Sequence, residues 1–168
     1  ISGQKWLMGP TGSGALYVNP ARISSLTPLF TRAGLDSRAG LAMHGVASLG
    51  VVDRAGFAET LAIHHELGAD AVERRTAELA SALREGMAAI AGVTLNGPAG
   101  GETASALTAI SVEGWEPPAL FEALWAQHRV VARAVGSPPG VRFCTGPFND
   151  ESDVEAAVGA VRTLAGNR

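Results

Sequence analysis

Along this chain apolar positions recur with two periods, and the switches between them mark the elements. From Ala69 to about Ala91, Val72, Leu79, Leu83, Met87 and Ile90 fall on one stripe, while Glu73, Arg74, Arg75, Glu78, Arg84 and Glu85 lie largely outside it. That spacing predicts an amphipathic helix. Helical spacing also runs from Leu41 to about Arg54, and a further helix is expected from about Phe57 to Leu67. Asn19-Pro20 reads as a cap and a first-turn proline, so a short helix is expected over 20–26; Pro117-Pro118 opens another to about His128. The last helix runs to about Leu164, capped by Asp150 or Ser152, with Ser152 and Glu155 matching a capping box. Strands are expected over 15–18, 92–95, 104–112, 130–135 and 141–145, where β-formers stand between turn residues. Residues 1–14, 96–101 and 136–140 read as loops, and 27–40 as irregular.

From residue 69 onward the order is helix, strand, strand, helix, strand, strand, helix. Such an order suits a small antiparallel sheet with helices on one face. The expected fold class is therefore α/β: a small α+β domain over 67–168, preceded over 1–66 by the C-terminal remnant of a larger domain. The length of 168 residues allows one ordinary domain or two small ones, and 46% apolar residues is enough for a core. Net charge is −3 with no basic stripe, so no nucleic-acid partner is expected. No apolar run approaches a membrane span. A single cysteine, Cys144, excludes an internal disulfide framework and fits a reducing, cytoplasmic setting. The chain opens on Ile1 with its most chemical motif at once, and a reactive lysine at a frayed end is a poor design. A longer segment is expected upstream.

The chemistry starts in the first loop. It holds Lys5, the hydroxyls of Ser2 and Thr11, and four glycines (Gly3, Gly9, Gly12, Gly14). A lysine amine condenses with carbonyls when enough of it is uncharged. Glycine amides and hydroxyls can cradle a phosphate. A phosphate-bearing aldehyde satisfies both, and pyridoxal phosphate is the common one. On composition alone a plain loop, with Lys5 a solvated side chain, is the favoured reading. A P-loop is excluded, because Gly9 to Gly14 is followed by Ala15 rather than Lys.

Ser2-Gly3-Gln4-Lys5-Trp6, followed by Gly9-Pro10-Thr11-Gly12-Ser13-Gly14 and Ala15-Leu16-Tyr17-Val18, resembles the Schiff-base segment of the class V aminotransferase family. The resemblance implies fold type I, pyridoxal 5'-phosphate as cofactor and Lys5 as its Schiff-base lysine. It places Ser2 beside the cofactor phosphate and turns Gln4 toward the cofactor. Near the other end, Gly140-Val141-Arg142-Phe143-Cys144-Thr145-Gly146-Pro147-Phe148-Asn149 resembles the family's closing strand and its corner before the last helix. There the resemblance makes Arg142 the clamp for the α-carboxylate of an amino-acid substrate. A planar guanidinium grips a carboxylate through two parallel hydrogen bonds. Arg133, on the preceding strand, is a second substrate-binding candidate; a structural ion pair is the competing role. The family's Gly-Thr pair, which reaches a partner subunit's cofactor, should fall near residues 39–40, where this chain reads Ala39-Gly40 without the threonine. By analogy a homodimer is expected.

The family includes cysteine desulfurases, isopenicillin N epimerases, kynureninases, aminotransferases and C–S lyases. Gly136-Ser137-Pro138-Pro139-Gly140 carries no cysteine where desulfurases need one, so persulfide chemistry is disfavoured. Cys144 shares a strand face with Arg142, but a small buried core residue is the expected role. The Pro-Pro loop and the Gln-Lys-Trp form of the motif look more like the epimerase and C–S lyase branch. In all branches the resemblance implies that Lys5, once released, moves a proton at the substrate's Cα. Other candidates carry less. His64 and His65 point about 100° apart on a helix, a poor shared metal site, and are expected to be a solvated pair. Trp115 and Trp125 are expected as anchors around the sheet. A non-catalytic assembly module, or a truncated homologue, is the alternative reading of the whole chain.

Overall fold

A computed structural model describes residues 1–26, 50–98, 100–101 and 104–166. The irregular stretch expected over 27–40, the first part of the helix expected from Leu41, and positions 39–40 lie outside the described residues. The chain divides into two compact units, Ile1–Leu67 and Gly68–Arg168.

The first unit holds a glycine-rich loop, a 3₁₀ turn over Pro20–Ser25, and a helix α1 over Val51–Leu67. Asn19 caps the 3₁₀ turn by accepting from the Ala21 amide at 2.9 Å, as the Asn-Pro pair predicts. The strand expected over 15–18 is absent; an isolated bridge joins Ser2 to Gly14, and the chain then runs without regular structure, with Tyr17 exposed. Helix α1 shows no break between Arg54 and Phe57. Gly56 sits inside it, and the missing Cβ leaves room for the ring of Pro10. A lone glycine weakens a helix by about 1 kcal/mol relative to alanine without ending it.

The second unit contains helix α2 (Ala69–Ala88), strands β1 (Val93–Leu95) and β2 (Leu107–Val112), helix α3 (Pro117–His128), strands β3 (Arg133–Gly136) and β4 (Pro139–Cys144), and helix α4 (Glu151–Gly166). The predicted order of elements is the observed one. The four strands are antiparallel, in the order β1-β2-β4-β3. Alternation decides which face is covered. Ile110 and Val112 of β2 and Val141 and Phe143 of β4 are buried with Leu79, Leu83 and Met87 of α2, Leu120 and Leu124 of α3, and Val161 and Leu164 of α4. The residues between them on the strands (Leu107, Ala109, Arg142, Cys144) turn to the uncovered face.

Several boundaries differ from expectation, among them a strand that begins at Leu107 rather than Ala104, and three of the differences have a clear local reason. Strand β3 begins at Arg133 rather than Val130. The Val130 amide closes helix α3 by donating to the Leu124 carbonyl at 3.1 Å, with Arg129 in the left-handed conformation (φ 58°) before it. Strands β3 and β4 meet across the two-residue turn Ser137-Pro138, so the five-residue loop expected over 136–140 is mostly strand. Gly140 is required there: a Cβ would meet the Ile110 carbonyl oxygen on β2. The cap of α4 is Asp150, which accepts from the Asp153 amide at 3.1 Å while the Asp153 carboxylate accepts from the Asp150 amide at 3.3 Å. The reciprocal pair is thus Asp150 with Asp153, not Ser152 with Glu155; Ser152 donates to Asp150 at 2.6 Å.

Candidate active site

In the first unit the loop folds back on itself. The Ile1 amine donates to the Ala15 carbonyl at 2.8 Å, and the Ala15 amide returns a bond to the Ile1 carbonyl at 3.0 Å. The Gly3 amide donates to Ser13 at 2.9 Å and the Gly9 amide to Gly3 at 2.8 Å. Those two amides are thereby spent inside the loop, so they do not form the phosphate cradle that the glycine content predicts. Their glycines serve close approach instead. A Cβ on Gly3 would lie 2.6 Å from Ser13 Oγ and 2.7 Å from the ring of Phe57, and one on Gly9 would lie 2.8 Å from each. Phe57 belongs to α1, so the loop is seated on that helix.

Lys5 opens the turn closed by the Met8 amide, which donates to the Lys5 carbonyl at 2.9 Å; Met8 takes a left-handed φ of 55°. Ser2, Gln4, Lys5 and Thr11 are all exposed, and their side chains make no hydrogen bond or ion pair among the described residues. Lys5 is the single lysine of the sequence. The amine and the two hydroxyls therefore stand on a fixed backbone with their bonding capacity unused. That is what a covalently held phosphate-bearing aldehyde would need of them, and in this respect the residues fit pyridoxal phosphate.

In the second unit Arg142 lies on β4, paired with Ala109 of β2 on one side and with Arg133 of β3 on the other. The two arginines are direct cross-strand partners on the uncovered face. Arg142 is half-buried and its Nε is out of solvent with no hydrogen-bond partner among the described residues, whereas Arg133 is exposed. Like charges directly opposite on a sheet destabilise it. Neither guanidinium has an acidic partner among the described residues; the ion pair there is Arg75–Glu151, between α2 and α4. Sequence reasoning named both arginines but not their opposition.

Asn96 was missed altogether. Its amide nitrogen donates to Ser111 Oγ at 2.7 Å and to the Pro139 carbonyl at 3.0 Å, and Ser111 Oγ donates to the same carbonyl at 3.1 Å. This fastens the β3–β4 turn to β2, and so holds the hairpin that carries both arginines. The one sequence signal was an asparagine directly after a strand. Cys144 is exposed, two residues beyond Arg142 on the same face, and is not the core residue expected. Of the histidines expected to be solvated, His65 is exposed but His64 has its Nε2 buried without a partner among the described residues. No cluster of metal-ligating side chains occurs among the described residues. Trp115 does anchor the layers, its indole donating to the Leu164 carbonyl at 3.2 Å, while Trp125 is exposed with Arg129 stacked 5.2 Å from its ring.

A groove of about 420 Å³ runs between α2 and α4, lined by Glu78, Gly86, Glu151, Glu155, Val158 and Arg162 among others. Three carboxylates make it a poor host for a carboxylate ligand, and it shares no residue with the face that carries Arg142. Elsewhere, no helix among the described residues is long and apolar enough to cross a membrane.

The sequence matches the family described as "Aminotransferase class-V" over residues 1–163. The chain belongs to the class V aminotransferase family. Its cofactor as a family is pyridoxal 5'-phosphate. Among curated members of this family, the chain is 26% identical to isopenicillin N epimerase of Streptomyces clavuligerus, over 98% of the chain and 46% of the relative. It is 27% identical to a probable hercynylcysteine sulfoxide lyase of Mycobacterium tuberculosis, over 99% of the chain and 45% of the relative. The chain thus spans about half the length of the curated relatives it matches. Among solved structures, the fold superposes with a TM-score of 0.81 and 22% identity on a cystine C–S lyase complexed with its reaction product cysteine persulfide, covering 96% of this chain and 45% of that one. It superposes with a TM-score of 0.85 and 20% identity on an apo cysteine desulfurase from Thermococcus onnurineus, covering 99% and 46%. The fold is that of the C-terminal portion of fold type I pyridoxal-phosphate enzymes.

Proposed function

We propose that this chain carries the cofactor-linking lysine and the substrate-carboxylate anchor of a pyridoxal-phosphate enzyme acting on an amino acid, with residues 1–66 belonging to its cofactor-binding domain and 67–168 forming its small domain. The observation that carries the reading is Arg142, whose Nε is buried and unpaired beside a second unpaired arginine. A desolvated donor without an acceptor costs about 1–3 kcal/mol. A cation held that way in a native fold is explained by an anion that docks there. The substrate's α-carboxylate supplies it, gripped by the Arg142 fork.

In this reading Lys5 holds the cofactor through its amine, Ser2 donates its hydroxyl to the cofactor phosphate, and Gln4 turns its amide toward the cofactor. When bound, the cofactor supplies an electron sink for carbanions at the substrate's Cα. Lys5 Nζ, freed when substrate binds, takes the Cα proton and returns it, which is general acid–base work by a single positioned amine. Arg142 holds the substrate's α-carboxylate in one orientation. C–S lyase or epimerase chemistry is the branch we favour, supported by the two curated relatives and by a β3–β4 turn of two residues that presents no cysteine. A homodimer follows by analogy.

Because Lys5 is the single lysine of the sequence, the test is clean. Incubation with pyridoxal phosphate, reduction with borohydride and peptide mapping should place the pyridoxyl mass at Lys5, and Lys5→Arg should abolish both the label and the visible absorbance. Label confined to the Ile1 amine, or visible absorbance retained in Lys5→Arg, would overturn the reading.

A further inference from the structure

The uncovered sheet face presents two cations, not one, and their surroundings differ. We propose that the substrate is an amino acid with a second carboxylate on its side chain, the α-carboxylate binding Arg142 and the side-chain carboxylate binding Arg133. This rests on the reading of Arg142 as the α-carboxylate anchor.

The argument begins with register. Arg133 and Arg142 are Cα partners across β3 and β4, and such partners have Cβ atoms about 4.5–5.5 Å apart. Like charges at directly opposed positions destabilise a strand pair, and arginine does not escape by losing its proton. The strand residues around them on that face (Ala109, Ser111, Val135, Gly140, Cys144) are formally neutral, so the strands supply no countercharge. One carboxylate would balance one guanidinium and leave a net cation. Two carboxylates balance the pair.

Depth separates the two subsites. Arg142 lies on the inner strand β4, half-buried, with its Nε out of water. It suits the carboxylate fixed at the reacting carbon. Arg133 lies on the edge strand β3 and is exposed. It suits an anionic group at the far end of a side chain. The hairpin that sets the two depths is held by Asn96 and Ser111 at the Pro139 carbonyl, so the separation is built into the turn.

The test uses the full chain loaded with pyridoxal phosphate, titrated calorimetrically with glutarate and with pentanoate, a dicarboxylate and a monocarboxylate of equal carbon count. Glutarate should bind about tenfold more tightly. Arg133→Gln should remove that preference and leave pentanoate within about twofold, while Arg133→Lys, which keeps the charge but not the fork, should retain part of it. Arg142→Gln should weaken both ligands about tenfold or more. Circular dichroism confirms that each variant is folded. Equal affinities in the unaltered protein, or a glutarate preference that survives Arg133→Gln, would overturn the second subsite while leaving the Arg142 anchor standing. Unchanged affinities in folded Arg142→Gln would overturn the anchor and the inference together.

Discussion

At the scale of single residues, charge is placed with economy. The Arg75 guanidinium donates to Glu151 at 2.6 and 3.0 Å and to the Asn149 carbonyl at 3.3 Å, tying the first half of α2 to the start of α4. The Arg75 hydrogen bonds pull the Glu151 carboxyl from its ordinary 4.5 down to about 2. Asp150 next to it is also lowered, chiefly by the Ser152 hydroxyl and then by the Asp153 amide. A carboxyl more acidic in the folded state stabilises the fold above its unfolded value, and that stabilisation drains as pH falls toward the folded value. Glu151→Gln should therefore lower the thermal midpoint at pH 7, and the two melting curves should converge between pH 4.5 and about 2. The pair is exposed, so the difference should be small and shrink in salt; a gap unchanged at pH 2 would refute the linkage. Residues of this kind are half legible in sequence. Asp150 stood out because caps have a local signature, whereas Arg142 was singled out by the resemblance of its segment to the family's closing strand. The Cys144 error came from letting the usual burial of cysteine outweigh alternation: with Val141 and Phe143 facing the core, residue 144 has to face away.

Elements were legible where their period was long and local. The order of all seven elements from Ala69 onward followed from pattern, because each helix stripe and each β-former run is written in contiguous residues. Register was not. A five-residue loop over 136–140 would set Val135 across from Val141, and so Ala134 across from Arg142. The observed two-residue turn puts Arg133 there instead. A one-residue slip exchanges the faces of a strand, and nothing local to either strand reports it. Helix packing offers a sharper test. Gly86 of α2 lies against Val158 of α4, where an added Cβ would sit 2.6 Å from one methyl and 3.2 Å from the other. Alanine gains about 1 kcal/mol of helix preference over glycine, but overpacking against a stiff β-branched side chain costs about 1–3 kcal/mol. Gly86→Ala should therefore be neutral to destabilising by about 2 kcal/mol, the difference of those terms. Adding Val158→Ala should make the Gly86→Ala step favourable, a coupling that urea denaturation of the four proteins of the cycle measures.

Across the whole molecule the two units are unequal. The buried apolar core belongs to the second, running from Leu79 to Ala165, while the first exposes Leu16, Tyr17, Val51 and Val52 at 69–83% and buries no large apolar side chain among its described residues. The expectation is that residues 68–168 produced alone unfold cooperatively, with Trp fluorescence and far-ultraviolet circular dichroism giving one midpoint, and that 1–67 alone show no such transition. Non-coincident transitions for 68–168 would contradict it. The sequence could not show this imbalance, because the apolar residues of the first unit have the same spacing as a core stripe; only placement shows them uncovered. Within the second unit the helices clothe one side of the sheet and leave the other bare. Folding energy is drawn from the clothed side, through Ile110, Val112, Val141 and Phe143. The bare side contributes charge and shape at Ala109, Arg133 and Arg142. Mutational drift can thus rewrite what the bare side recognises while the scaffold keeps its margin against unfolding, so descendants of one such domain are free to diverge in taste long before they diverge in form.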